Sequence, residues 1–333
     1  MPAPDATLRT IRQARTQISD IIHGRDARML VVVGPCSIHD VEAAREYSVL
    51  LNEARQELAD VLCVVMRVYF EKPRTTTGWK GLINDPYLDG SFKVNEGLRL
   101  ARRLLLDLGQ IGIPAGTEFL DMITPQYLVG LVSWGAIGAR TTESQLHRQL
   151  ASGLSCPVGF KNGTSGDVQI AVDAIKSAAA QHTFLGHTEY GQSAIFVTSG
   201  NPDCHVILRG GRKTVNYDSA SVADVLARLN KVGSKTHIMI DCSHANSHKD
   251  HAEQKIVCRD VLKQIGEGQR RICGLMLESN LLEGAQKLEA EKPLVYGQSV
   301  TDACIGREET LGLLREIADV VRQTRLPHIS PRP

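Results

Sequence analysis

The stretch that decides the fold is residues 61–81, VLCVVMRVYFEKPRTTTGWKG. Apart from Arg67, its first ten residues are apolar on both faces, which is typical of a strand buried on both sides in a parallel sheet. Lys72 and Arg74 follow at once, and Pro73 between them fixes its own φ and favours an extended Lys72. Fixed cations suit a phosphate or a carboxylate, although a solvated charge run after a strand is the alternative.

The same apolar pattern recurs along the chain in alternation with helical patterns. Strands are predicted at 29–36, 62–69, 113–118, 136–140, 157–161, 205–209, 237–242 and 272–278. Helices are predicted near 41–58, 95–108, 125–133, 143–151, 167–179, 219–231, 251–266 and 308–323. Strand–helix alternation of this kind indicates parallel strands closed into a (β/α)8 TIM barrel.

Three segments lie outside the minimal barrel pattern. Residues 5–23 predict a short amphipathic helix that leads into the barrel, within an N-terminal segment 1–28. Residues 183–198, TFLGHTEYGQSAIFVT, predict an inserted hairpin before the sixth barrel strand. The loop from Thr75 to about Val94 is too long for a simple connector, and long loops tend to be functional. With no linker or repeat to divide it, the chain is expected to be one domain over 1–333.

Composition excludes several classes of protein. The chain has 333 residues, 42% of them hydrophobic, and a formal net charge of +1, so no global field recruits nucleic acid or an anionic membrane. No apolar run is long enough to span a bilayer and the first ten residues, MPAPDATLRT, do not resemble a signal peptide. The eight cysteines show no CxxC spacing and favour reduced thiols, as in a cytoplasmic protein.

Every predicted strand carries a polar or reactive side chain at or near its C-terminal end, where TIM barrels carry their chemistry. In chain order these positions are Cys36, Arg67, Glu118, Arg140, Lys161, Arg209, Asp241 with His244, and Glu278. Six cations gather around this mouth of the barrel: Arg67, Lys72, Arg74, Arg140, Lys161 and Arg209. For any single arginine a structural salt bridge is the alternative, but together they predict an anionic partner. Two phosphorylated substrates, one of them also a carboxylate, would bring about five negative charges.

The remaining side chains at the mouth are a thiol, an imidazole and carboxylates. The set is Cys36, His244, Glu278 and Asp302. Such donors make a plausible shell for a divalent metal. Their spacing along the chain adds nothing, and a buried core cysteine and a hydrogen-bonded scaffold histidine remain alternatives.

Motifs along nearly the whole chain carry a family resemblance. They are GPCSIHD (34–40), MRVYFEKPRTTTGWKGL (66–82), GTEFLD (116–121), WGAIGARTTESQ (134–145), PVGFKNGT (157–164), ILRGG (207–211), DCSHANS (241–247), LESN (277–280) and SVTDACIG (299–306). In this order, from about residue 24, they resemble the class I 3-deoxy-D-arabino-heptulosonate-7-phosphate (DAHP) synthases of the microbial aromatic pathway. The KPRTT block is the most specific of them.

The resemblance implies an activity and a set of site residues. The family condenses phosphoenolpyruvate with erythrose 4-phosphate, which gives DAHP and phosphate in the first step of the shikimate pathway. The implied ligands of a divalent metal are Cys36, His244, Glu278 and Asp302. The implied phosphoenolpyruvate contacts are Arg67, Lys72, Glu118, Arg140, Lys161 and Arg209. The implied erythrose 4-phosphate contacts are Lys72, Pro73, Arg74 and Thr75.

Within that set Lys72 and Lys161 are the expected proton-managing residues, and His244 acts through the metal. A shell of sulfur, nitrogen and oxygen accepts manganese, iron, cobalt or zinc, so the metal stays open. Two other activities stay open as alternatives. One is 3-deoxy-manno-octulosonate-8-phosphate synthase, which the KPRTT block disfavours. The other is a metal-free Schiff-base aldolase that uses Lys161.

The resemblance also bears on regulation and assembly. Relatives whose activity is inhibited by an aromatic amino acid form the effector site partly from a longer N-terminal arm and partly from the hairpin at 183–198. About 28 residues precede the first predicted barrel strand here, so inhibition is expected to be weakened or absent. Gly186 resembles the tyrosine-responsive forms more than the phenylalanine-responsive ones. Relatives are dimers or tetramers, so a homodimer or homotetramer is expected.

Overall fold

Eight parallel strands close into a barrel in this computed structural model, which describes residues 1–74, 76–289 and 292–325. The barrel strands are β1 Met29–Gly34, β2 Leu62–Arg67, β3 Ala115–Glu118, β4 Trp134–Ile137, β5 Val158–Lys161, β8 Cys204–Leu208, β9 Ile238–Asp241 and β10 Ile272–Glu278. They follow one another around the barrel in chain order, and β10 pairs with β1 to close it. The prediction of a (β/α)8 barrel is confirmed.

Helices surround the barrel largely where the periodicity predicts them. They are α1 Asp5–Ile22, α2 Val41–Glu57, α3 Val94–Ile111, α4 Pro125–Leu128, α5 Gln145–Gly153, α6 Gln169–Ala178, α7 Ser219–Lys231, α8 Gln254–Gly266 and α9 Arg307–Arg325. The prediction over 125–133 is wrong in extent, because α4 has four residues and a 3-10 turn at Val129–Leu131 follows it. Gly130 weakens that turn, and Val132 is already extended on the way into β4.

The strand register brings the polar strand ends to one rim. All six residues of β2 are buried, in agreement with its apolar run. Gly34 pairs with Glu278, and Arg67 pairs with Gly116. Because the strands are parallel and in this register, the side chains that follow each apolar run meet at the same mouth.

Helix α1 closes the opposite end of the barrel. Ile18 and Ile22 are buried in one cluster with Trp134 of β4. The backbone N–H of His237, just before β9, donates to the carbonyl of Ile22 at 2.9 Å. The Arg15 Nε donates to the carbonyl of Val132, just before β4, at 3.0 Å. These contacts with residues that precede strands place α1 at the end of the barrel away from the mouth.

The inserted hairpin is also confirmed. Its strands β6 Thr183–His187 and β7 Ser193–Val197 pair antiparallel just before β8, the sixth barrel strand. On one face the rings of Phe184 and Phe196 stack with centroids 5.9 Å apart. Within the described residues, none of the helices is both long and apolar enough to cross a membrane. All eight cysteines are buried free thiols.

Candidate active site

A cavity of about 760 Å³ opens at the mouth of the barrel and collects most of the residues singled out in the sequence. Those that line it are Arg67, Lys72, Pro73, Arg74, Glu118, Arg140, Lys161, Arg209, His244 and Asp302. Cys36 and Glu278 are buried and contact lining residues, as shown below. Thr75 lies outside the described residues. Residues from all parts of the chain therefore converge on one cavity.

The thiol and two carboxylates form a compact group of donors. One ligand atom each from Cys36, Glu278 and Asp302 lies within 4.8 Å of the others. The Cys36 thiol donates to Asp302 Oδ2 at 3.6 Å. The Lys72 ammonium donates to Cys36 Sγ at 3.0 Å and lies 4.0 Å from Asp302 Oδ2. A cation is thus already held against the sulfur and the carboxylate in this structure.

The imidazole of His244 joins this group through Glu278. Its Nε2 lies 3.7 Å from Glu278 Oε1, and its Nδ1 lies 2.9 Å from Asp241 Oδ2. The Ser243 hydroxyl lies 2.7 Å from Nδ1, and an oxygen that accepts a hydrogen bond from Nδ1 leaves the lone pair of Nε2 free, as in most histidine ligands of metals. The left-handed backbone of His244, at φ 58°, is strained for a residue with a side chain and is typical of functional sites. Cys36, Glu278 and Asp302 offer donor types that suit a divalent metal, and His244 lies next to this group without being part of its compact set.

Protonation of this group couples metal binding to pH. Burial and the neighbouring Glu278 carboxylate raise the pKa of Cys36 to about 11. Burial alone would lower the pKa of Lys72, but Cys36, Glu278 and Asp302 raise it above its usual value. The Cys36 thiol is therefore protonated near neutral pH. Because a metal ion binds the thiolate, metal binding should release a proton.

Arg67 connects the donor group with the cavity. Its guanidinium Nη2 lies 2.9 Å from Glu278 Oε1 and donates to the carbonyl of Cys36 at 3.1 Å. The guanidinium carbon also lies 3.5 Å from the centroid of the Tyr69 ring. Both Arg67 and Glu278 are almost completely buried, so neither charge is screened by solvent. The pair fixes the Glu278 carboxylate next to the substrate cavity.

Asp241 is a site residue to which the sequence reasoning gave no role. Its Oδ2 accepts from the buried Lys161 ammonium at 2.8 Å, and the same oxygen contacts His244 Nδ1. Burial alone would raise the pKa of Asp241, but His244 and Lys161 hold it well below its usual value. Its place three residues before His244 in DCSH was the available signal. No sequence pattern indicated that Asp241 pairs with Lys161, which lies 80 residues away in the chain.

Glu71 is a second residue that the sequence did not single out. Its carboxyl group is buried beside Lys72, and Thr124 Oγ1 donates to Glu71 Oε2 at 3.0 Å. Burial raises the pKa of Glu71 to about 7. The segment that carries Lys72 and Arg74 is thus tied to the loop before α4 by a carboxyl group that titrates near neutral pH.

Glu118 occupies its place at the cavity because a glycine faces it. A Cβ added at Gly138 would lie 2.1 Å from Glu118 Oε1. Arg140 and Arg209 line the same cavity and form no ion pair with any of the described residues. The cavity therefore offers cations without counterions as well as a buried cluster of donors.

Comparisons with known proteins identify the relatives of this chain. A family model described as "DAHP synthetase I family" matches residues 9–315. The Phe-sensitive phospho-2-dehydro-3-deoxyheptonate aldolase of Escherichia coli K12 is 59% identical over 324 residues, 97% of this chain and 92% of the relative. The Trp-sensitive enzyme of the same strain is 52% identical over 311 residues, 93% of this chain and 89% of the relative.

A solved structure extends the likeness to three dimensions. The phospho-2-dehydro-3-deoxyheptonate aldolase of Francisella tularensis SCHU S4 superposes with a TM-score of 0.96 at 54% identity. The match covers 98% of this chain and 95% of that chain. The family model matches most of the chain, and relatives of high identity share its fold. The chain belongs to the DAHP synthetase I family.

Proposed function

We propose that this protein is a DAHP synthase, which condenses phosphoenolpyruvate with erythrose 4-phosphate and releases DAHP and inorganic phosphate. The observation that carries the proposal is the convergence at one barrel mouth of a sulfur–imidazole–carboxylate group and a ring of cations. The relatives named as phospho-2-dehydro-3-deoxyheptonate aldolases support it. The octulosonate alternative has no support among the relatives.

The cations divide between the two substrates in this proposal. Arg140, Arg209 and Lys161 bind the phosphate and carboxylate of phosphoenolpyruvate, because all three are cations that line the cavity. Arg67 and Glu118 complete that subsite from the barrel floor. Arg74, stiffened by Pro73, binds the phosphate of erythrose 4-phosphate together with Lys72 and Thr75. Charge-assisted hydrogen bonds contribute on the order of 1.5–3 kcal/mol each.

A divalent ion held by Cys36, His244, Glu278 and Asp302 would act as a Lewis acid toward the aldehyde oxygen of erythrose 4-phosphate. C3 of phosphoenolpyruvate attacks the aldehyde carbon, water adds at C2, and cleavage of the C2–O bond releases phosphate. Lys72 holds its proton close to the donor group and is placed to give a hydrogen bond to the oxygen that gains charge. Lys161, held by Asp241, stabilises the enol phosphate as a fixed cation.

The ion pair of Lys161 also bears on the Schiff-base alternative. A nucleophilic lysine must have its amine free to attack, whereas the buried Lys161 side chain is held by the Asp241 carboxylate at 2.8 Å. Borohydride reduction in the presence of erythrose 4-phosphate should therefore trap no substrate on this chain.

A single substitution tests the site and the reaction together. Cys36→Ala should abolish turnover with phosphoenolpyruvate and erythrose 4-phosphate, because the sulfur ligand proposed for the metal is lost. The variant should also bind less than a tenth of the metal that the wild type binds, measured by elemental analysis after dialysis. Cys63→Ala, which removes another buried thiol of the barrel, is the matched control and should keep both activity and metal. Full activity of Cys36→Ala in chelator-treated buffer would refute the metal assignment.

The effector is the second part of the proposal. The hairpin and the loops before α4 and after α5 enclose a cavity of about 870 Å³ whose lining includes Phe184, Phe196 and Gly186. The stacked phenylalanines offer an apolar aromatic wall, which suits an aromatic side chain. The E. coli relatives are named Phe-sensitive and Trp-sensitive. An aromatic amino acid is therefore the effector proposed for this cavity.

Titration of phenylalanine, tyrosine and tryptophan tests this effector site. Binding of one of them should weaken at least about fivefold in Phe184→Ala, since a stacked aromatic contact contributes about 0.5–1.5 kcal/mol beyond the area it buries. Tyr190→Ala removes a ring from the same hairpin outside the cavity and should leave binding unchanged. The same titration, followed by activity, tests the prediction of weakened inhibition. Equal binding by both variants would place the effector elsewhere.

The assembly proposed is a homodimer or a homotetramer of single-domain chains. The hairpin supports it, because its outer face exposes Leu185, Ile195 and Val197, each to more than half of its surface. Apolar side chains grouped on one exposed face are typical of an interaction surface.

A further inference from the structure

A second cavity of about 620 Å³ lies beside the catalytic one. Arg140, Thr164, Arg209 and Lys249 line both cavities, so the two spaces share a wall. On its far side the outer cavity is lined by Arg212 and His248, which do not line the catalytic cavity.

The outer cavity is lined by cationic side chains without counterions. Its basic lining consists of three arginines and one lysine, with the imidazole of His248 beside them, and no carboxylate among the described residues contributes to it. Within the described ranges, Arg212 and Lys249 form no ion pair. Unpaired cations that face one space favour an anion as its occupant.

The loop that carries Arg212 is held rigidly. The backbone of Gly211 packs directly on Gly166, since a Cβ at Gly211 would lie 2.6 Å from the Gly166 Cα. The backbone N–H of Arg212 then donates to the carbonyl of Thr164 at 3.2 Å. The loops after β5 and β8 are therefore locked together, with Arg212 at their junction.

The opposite side of the cavity is built from a strained turn. His248 and Lys249 both have left-handed backbones, at φ 52° and 64°, which are strained in residues with a side chain. The N–H of Lys249 donates to the carbonyl of His244 at 2.7 Å and holds the turn. Strain of this kind is retained where it positions side chains for function. His248 and Lys249 are the two residues of this turn with left-handed backbones that line the outer cavity.

We propose that the outer cavity is an anion site that receives the inorganic phosphate released by the reaction. The inference rests on the proposed function, which generates free phosphate beside Arg140 and Arg209. Both arginines face both cavities, so phosphate can exchange one set of cations for another without first becoming free in solution. The catalytic proposal gives no role to Arg212, His248 or Lys249. Of these three residues, only Lys249 also lines the catalytic cavity.

Calorimetric titration of orthophosphate tests the site directly. The metal-loaded enzyme is first saturated with phosphoenolpyruvate, without an aldehyde, so that the catalytic phosphate subsite is filled and no turnover occurs. Wild type should then bind phosphate at two places, the outer site and the subsite of Arg74. Arg212→Ala should weaken binding at the outer site about five- to tenfold, and Arg74→Ala should remove the other component.

A neighbouring residue supplies the matched control. Lys213→Ala removes the same charge one residue away, outside the lining of the cavity, and should change phosphate affinity by less than about twofold. Product inhibition by phosphate should weaken in Arg212→Ala by the same factor as binding, with the KM of both substrates unchanged.

Two results would overturn the inference. Equal phosphate affinity in Arg212→Ala and Lys213→Ala would show only a diffuse effect of surface charge. A raised KM for either substrate with unchanged phosphate binding would mean that the cavity serves arriving substrate. Failure of the proposed function is distinct from both, because it would appear as absence of DAHP formation by the wild type.

Discussion

At the scale of the residue, the site separates paired charges from free ones. Lys161 is paired with Asp241, and Arg67 with Glu278, within the buried floor. Arg140 and Arg209 face the cavity without such partners among the described residues. Removing one member of a buried pair leaves an unpaired charge, which costs about 3–5 kcal/mol. The buried pairs therefore hold the floor in place, while the free cations remain available to bind anions.

Glu71 gives a prediction about pH. Its pKa is raised from 4.5 to about 7, so the folded protein binds this proton more tightly than the unfolded chain does. The contribution to the free energy of unfolding is full below pH 4.5 and is lost as the pH rises through about 7. Glu71→Gln removes this titration. As the pH rises from 5 to 8, the free energy of unfolding of the variant should therefore increase by up to about 3 kcal/mol relative to that of the wild type.

Urea unfolding of both proteins at those two pH values measures the change. Glu53→Gln, an exposed substitution of the same type in α2, should show the same difference from wild type at both pH values. A difference between Glu71→Gln and wild type that does not vary with pH would show that the carboxyl group does not titrate in this range.

At the scale of the element, helix α1 illustrates what periodicity can and cannot predict. The apolar positions of residues 5–23 indicated an amphipathic helix. They did not indicate its partner, because a single apolar stripe fits any complementary surface. Contacts with residues just before β4 and β9 show that this stripe closes the end of the barrel away from the mouth.

This position of α1 separates stability from catalysis. Ile18→Ala should lower the free energy of unfolding by about 2–5 kcal/mol, because Ile18 is fully buried in the barrel cluster. Turnover at 25 °C should stay within about twofold of wild type, since the substitution lies at the opposite end from the donor group. Denaturant unfolding and initial rates measure the two quantities. Gln13→Ala, exposed on the same helix, is the control and should change neither, whereas a large loss of turnover in Ile18→Ala would contradict the separation.

At the scale of the whole molecule, the hairpin links fold and assembly. Light scattering on the purified protein should give twice or four times the mass of one chain. If the outer face of the hairpin forms the contact, Leu185→Asp with Ile195→Asp should lower that mass, because charge is costly in an apolar interface. Val49→Asp, at another exposed apolar position, should leave the mass unchanged. A monomeric wild type would contradict the proposed assembly.

The sequence by itself determined the barrel and the composition of its mouth. Parallel strands covered on both faces must be apolar throughout, so their eight runs were visible, and the residue after each run had to lie at one rim. The family resemblance, carried by motifs such as KPRTT and DCSHANS, added the expected substrates and ligands, and the family itself is confirmed by the comparisons.

Only the tertiary structure decided how those residues meet. The pairing of Lys161 with Asp241, the burial of Glu71 and the outer cavity of Arg212 and Lys249 all depend on distances between segments far apart in the chain. Local patterns determine which face a side chain takes, whereas partner, burial and therefore pKa are set by the packing of other segments around it. The length of α4 is another example. The sequence pattern predicted a helix over 125–133, whereas the packed structure contains a helix of four residues.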